Sequence, residues 1–169
     1  MRHPGGEDDA AGEAFWRFSL ALYARPGVAD ALIAIQDRAA RDVNLILLGL
    51  WLGATRGHLF TTAELAALEA VIAPIADTAV APLRRLRRQL KPHADPDLAV
   101  LRRRITVLEI AAERRVQYRL AAHLSDAAGA AGDRVAAAQA NLGLYLGDEA
   151  GSPEAGVLRH ALSVLIRRN

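Results

Sequence analysis

An all-α fold is what this sequence predicts: a single-domain helical bundle of about seven or eight helices, with a central buried helix near 43–56 and a long helix near 97–124. Three observations carry that expectation. The chain has 169 residues, enough to fill one hydrophobic core and short for two. Apolar residues make up 52% of it but aromatics only 5%, and alanine is abundant, which suits closely packed helices better than a sheet of branched side chains. Apolar positions recur at spacings of three and four, the periodicity of a helix face.

Residues 1–9 read as a flexible polar tail and residues 10–169 as one helical domain. The first helix is expected over 10–24, with Phe15, Trp16, Ser19, Leu20 and Tyr23 near one another, and Arg25-Pro26-Gly27 stops it. A second helix, beginning at Pro26 and running to about Ala40, carries Val28, Leu32 and Ile35 as its apolar stripe. Asp42 can cap the third helix by accepting the amides two and three residues on, and Gly57 ends it. Because Leu45 to Leu52 is apolar on every face apart from Gly49, this helix should be surrounded on all sides. Gly49 and Gly53, one turn apart, mark where a neighbour can cross closely.

Thr61-x-x-Glu64 has the form of a capping box, and the fourth helix it opens should be kinked or split at Pro74 and Pro82. Beyond Pro82, Leu83, Leu86 and Leu90 line one face and Arg84, Arg88 and Lys91 another. PHADPD makes a turn in which Asp95 caps the long helix, whose core stripe is expected to be Leu101, Ile105, Leu108, Ala112, Val116 and Leu120. A small-residue loop over 125–132 precedes a helix over 133–146, and Ser152 caps the last one, over 153–167.

Composition excludes several functions. There is no cysteine, hence no disulfide, thiolate nucleophile or cysteine-ligated metal. The five histidines form neither HxxxH nor HExxH, and the paired glutamates lack the Glu-x-x-His spacing of carboxylate-bridged di-iron bundles, so no metal site is expected. No GxSxG, Walker or dinucleotide sequence occurs, so neither catalytic residues nor a cofactor can be named. The N-terminus lacks the apolar core of a signal peptide, and no stretch reaches the roughly 20 apolar residues of a membrane span, which points to the cytoplasm.

Net charge is only +2, yet eleven basic residues face four acidic ones between Arg84 and Arg119, leaving the remainder of the chain acidic. Arg85, Arg88, Lys91, Arg102, Arg103 and Arg104 form a candidate surface for a protein partner, and a homo-oligomer could use it too. Nucleic acid is a further reading of the same residues, though no aromatic interleaves with them.

A polar stripe, Arg102, Thr106, Glu109, Glu113 and Gln117, runs along the long helix. Two glutamates one turn apart repel, so a cation should sit between them, and antiparallel packing of the helices flanking PHADPD brings Arg84 within about 7 Å of axial rise of Glu109. Arg88, about 13 Å away by the same rise, is expected to be freer for a partner. Asn44 shares a stripe with Leu48 and Trp51 and so should point inward, with Gln36, Asp37 or backbone of the preceding turn as its partners. Gln36, Asn44, Trp51, Arg84, Glu109, Glu113 and Gln117 are therefore the candidate walls of a ligand pocket.

Several pieces together resemble a family of short proteobacterial proteins known as a domain of unknown function: Phe15-Trp16-x-Phe18-Ser19-Leu20-x-x-Tyr23, Gln36-Asp37, Asp42-Val43-Asn44 with Trp51, and Pro82-Leu83-Arg84-x-x-Arg87-Arg88-x-Leu90-Lys91. The likeness covers roughly Phe15 to Leu124. Members of that family often carry glycine where this chain has Ala40, and a tryptophan followed by a polar residue where it has Ile75-Ala76. The resemblance implies a bacterial, cytoplasmic setting and brings no activity with it. The expectation is a non-enzymatic accessory or adaptor protein binding through its arginine-rich surface, with an enzyme or small-ligand protein using the polar pocket as the alternative.

Overall fold

A computed structural model describes residues 7–124, 129 and 132–167. Among these the regular structure is entirely helical: α1 (Glu7–Tyr23), α2 (Val28–Ala39), α3 (Val43–Arg56), α4 (Thr62–Ile75), α5 (Ala81–Leu90), α6 (Pro96–His123), α7 (Arg134–Leu146) and α8 (Pro153–Ile166). A π-helical stretch, Ala76–Val80, joins α4 to α5, and a 3-10 turn, Gly147–Gly151, joins α7 to α8. Residues 1–6 of the expected tail and most of the expected loop over 125–132 lie outside the described residues. Helix α1 starts at Glu7, ahead of the expected Ala10.

Helix α3 is the centre of the bundle. The Asp42 carboxylate accepts the amides of Asn44 at 2.7 Å and Leu45 at 3.4 Å, and Gly57 closes the other end with a left-handed φ of 69°. Every residue from Val43 to Gly53 is buried. Helix α7 crosses it at the glycines: a β-carbon on Gly53 would lie 2.3 Å from the Ala138 backbone nitrogen, so no larger residue permits that approach. Asn141 of α7 fastens the crossing by accepting the Phe60 amide (2.8 Å) and donating to the carbonyls of Gly49 (3.0 Å) and His58 (2.8 Å).

Packing selects which residues of α1 and α6 turn inward, and on α6 it departs from the expected stripe. On α1 the buried side chains are Phe15, Ser19 and Leu22, while Leu20 and Tyr23 are exposed, because Phe15 stacks on Trp51 and Gly12 lies against the Tyr118 ring. On α6, Ile105, Val116 and Leu120 are buried as expected, but Leu101 and Leu108 are 46% and 57% exposed. The inward stripe is instead Ile105, Glu109, Ala112, Val116 and Leu120. This helix is apolar on two sides, so periodicity alone did not select which side faces the core.

Pro74 and Pro82 do not break their helix. Proline lacks the amide for its own i−4 bond and its ring crowds that carbonyl. The chain responds by widening to π geometry between them, with the Ala81 amide reaching back to the Ala76 carbonyl and the Thr78 hydroxyl donating to the Pro74 carbonyl. The resulting continuous helix, Thr62–Leu90, has a window of mean hydropathy 1.5 and is, by length and composition, long enough to cross a membrane, although the sequence alone shows no run of that length. Such a helix is weak evidence for a span, and this one packs Leu65, Leu68, Ile72 and Val80 into the core.

Candidate functional site

Helices α1, α2, α3, α5 and α6 bring most of the polar candidates to one side of α3. Two hydrogen-bonded groups make up the site. The inner one runs across three helices: the Ser19 hydroxyl donates to Gln117 Oε1 at 3.0 Å, and Gln117 Nε2 donates to Asn44 Oδ1 at 3.0 Å. Gln117 thus joins the other two, accepting from Ser19 through its oxygen and donating to Asn44 through its nitrogen. The backbone amide of Asn44 donates to the Asp42 carboxylate at 2.7 Å. The single Ser19 proton is shared between this chain and the Phe15 carbonyl, also at 3.0 Å. Ser19, Asn44 and Gln117 are all buried.

The outer group is ionic. Arg84 donates from Nε to Glu109 (3.2 Å) and from Nη2 to Glu113 (2.7 Å), which places it between the two like charges as the sequence required. Arg87 adds a two-point contact to Glu109, Nε to Oε2 at 2.5 Å and Nη2 to Oε1 at 3.2 Å. Glu109 is only 5% exposed, and a buried carboxylate of this kind is tolerated when good geometry and more than one cation compensate for its lost hydration. Arg87 is absent from the candidate pocket residues because its Cα lies about 11 Å of axial rise from the level of Glu109. Helical side chains lean toward their own N-terminus, so on antiparallel helices an arginine of α5 and a glutamate of α6 lean toward each other.

Burial pushes the carboxyls of Glu113 and Asp42 above their ordinary range, opposed by Arg84 at the first and by the Asn44 and Leu45 amides at the second. The Tyr23 phenol is pushed up to about 12 by desolvation and by the neighbouring Glu113 charge. Arg87 is held more firmly cationic by its bond to Glu109.

Two adjoining cavities flank these groups. The outer, ≈ 450 Å³, takes in Gln36, Arg84, Glu109 and Glu113; the inner, ≈ 260 Å³, takes in Asn44, Glu113 and Gln117. Six of the seven candidate pocket residues thus line the pair. Trp51 does not: it is 5% exposed and stacks on Phe15 with ring centroids 5.1 Å apart, a core contact. Asn44 is bonded to Gln117 and not to Gln36. Tyr23, Trp16 and Ser19 also line the cavities and were not singled out, although Ser19, four residues from Phe15, carried a readable signal: a hydroxyl on an apolar stripe needs a partner.

Of the candidate partner surface, Arg85, Arg88, Lys91, Arg103 and Arg104 are exposed and Arg102 is half-buried. Arg88 is not free as expected, because it donates to Asp37 of α2 at 2.8 Å, a helix whose approach the spacing of α5 and α6 does not reveal. Arg85, Lys91, Arg102, Arg103 and Arg104 make no ion pair among the described residues. Nor do any three histidine or acidic side chains among those residues group as metal ligands.

The fold and this cluster define an all-α helical protein in which a buried ionic and amide network ties α1, α3, α5 and α6 around a two-armed cleft. The chain belongs to the family described as Protein of unknown function (DUF2390), whose model matches residues 14–120. That match takes in both groups of the site and leaves α7 and α8 outside. No curated protein and no solved structure matches the chain.

Proposed function

We propose that this chain is a soluble, cytoplasmic bacterial accessory protein without catalytic activity, which binds an acidic, amphipathic helix of a partner protein along the outer face of α6. The observation that carries the reading is the second apolar stripe of α6: Val100, Leu101, Val107 and Leu108 are between 40% and 66% exposed, with Arg103 and Arg104 among them. Positions spaced in this way along one helix form the seam another helix packs on. Helix α5 beside it buries no residue and adds exposed Leu86 and Arg85. Arginines without carboxylates next to apolar anchors favour an acidic partner. Pairing of the same stripe in two copies of the chain brings like charges together, which argues against a homodimer on this face. Exposed leucines and valines between the arginines favour protein over a nucleic-acid backbone.

The test is affinity purification from the native cell with the wild type, Arg103→Glu and Leu101→Ser as baits. A protein retained by the wild type and released by both variants, with an acidic helical segment at the cross-linked site, is the expected result. Recovery that is indifferent to both substitutions sinks the reading, and salt-sensitive retardation of DNA or RNA in a gel replaces it with nucleic-acid binding.

A further inference from the structure

The two cavities share Tyr23, Val43, Ile110 and Glu113 as lining, so they adjoin, and they are the two chemically different arms of the cleft proposed below. The inner arm, ≈ 260 Å³, is walled by Trp16, Leu20, Leu47 and Ile110. Its buried Ser19, Asn44 and Gln117 are bonded to one another, so it offers a ligand mainly apolar contact. The outer arm, ≈ 450 Å³, is bordered by four cationic side chains, Arg84, Arg87, Arg88 and Lys91, and by three carboxylates, Asp37, Glu109 and Glu113. Each of those carboxylates is already held by arginine. A guanidinium has more N–H donors than one carboxylate uses. Nη1 of Arg84, Arg87 and Arg88 and the Lys91 ammonium meet no acceptor among the described residues. The mouth therefore combines surplus positive charge with unused donors, directly beside an apolar recess.

We propose that this cleft is a binding site for a small organic acid with an apolar tail, its tail in the inner arm and its carboxylate at the mouth among Arg87, Arg88 and Lys91. An amine of the same shape meets excess positive charge and carboxylates that are already engaged. A neutral molecule gains the apolar contact alone. This site is independent of the outer face of α6, so either can exist without the other.

Octanoate is the probe, with octylamine and 1-octanol as controls of equal chain length, read by titration calorimetry and by the side-chain amide resonances of Asn44 and Gln117. Octanoate should bind at millimolar concentration or below, shift both amides, and outbind both controls. Its affinity should fall about tenfold in the Arg88→Gln, Lys91→Gln double variant, the effect of losing charge-assisted contacts. Leu20→Trp, which fills the inner arm from an exposed position, should abolish binding. The double variant and Leu20→Trp replace exposed residues, and an unchanged thermal transition shows that each still folds. Absence of octanoate binding, equal binding of octylamine or octanol, or octanoate binding that moves neither amide would each overturn the proposal.

Discussion

Ala40 stands at φ 52° and ψ 29°, the left-handed position that closes α2, where its amide bonds to the Gln36 carbonyl. It is the only non-glycine residue with positive φ among those described, and a β-carbon there costs on the order of 1 kcal/mol. Ala40→Gly should therefore raise stability by about 0.5–1 kcal/mol, read as a higher urea midpoint with unchanged slope; a lower midpoint would show that the strain is not there. Asn44 makes the opposite case. Removing its amide leaves the buried Gln117 Nε2 without its acceptor, so Asn44→Ala should cost about 1–3 kcal/mol. The double variant with Gln117→Leu should lose clearly less than the two single losses added together, since both polar partners are then gone. That Asn44 points inward was legible from its spacing with Leu48 and Trp51. That it meets Gln117, 73 positions away, was not, because the pairing depends on how two helices are rotated about their axes.

Element boundaries were legible because their signals are local. Asp42, Thr61 with Glu64, Asp95, Asp133 and Ser152 each cap the helix that follows, through bonds to amides no more than three residues away. Faces were less so. Helix α6 carries apolar residues both inward and outward, so the expected core stripe takes in Leu101 and Leu108, which are exposed, and leaves out Glu109, which the packing of α5 turns inward. Helix α5 is the plainest consequence: it buries no residue, and its most buried ties are the bonds of Arg84 and Arg87 to Glu109. Glu109→Ala leaves two guanidiniums short of their shared carboxylate and should destabilise the chain by about 2–3 kcal/mol, below the roughly 3–5 kcal/mol of a stranded buried charge because both arginines are partly exposed and Arg84 keeps Glu113. Hydrogen exchange should locate the loss, with α5 amides deprotected more than those of α3. Uniform deprotection would show that Glu109 supports the whole core and not the α5 attachment.

For the whole molecule, the charge asymmetry was legible from counting and six of the cleft's walls from their polar spacing, but its two-armed shape was not, since no sequence spacing announces how five helices leave a gap beside α3. Its existence has a consequence for acid stability. Glu13, bonded by Tyr118 and Arg114, and Glu149 and Glu154, both bonded by Arg38, have carboxyls held below their ordinary value in the folded protein. The stability they contribute is present above the unfolded pKa and is lost as pH falls through the folded one. Glu113 works in the other direction. Burial raises its folded pKa above the ordinary 4.5, so between those two values the folded state binds more protons than the unfolded, and stability declines as pH rises through that window. Glutamine keeps an oxygen for the 2.7 Å bond from Arg84 but cannot titrate, so Glu113→Gln removes this term alone from the pH dependence. Whatever offset the substitution introduces at pH 4, the stability of the variant relative to the wild type should climb as pH is raised to 7, in urea titrations at matched ionic strength. A difference that stays flat over that range would mean Glu113 has the same proton affinity folded and unfolded, and so is not desolvated in the cleft. A difference that falls would mean that Arg84 dominates and holds the carboxyl below its ordinary value.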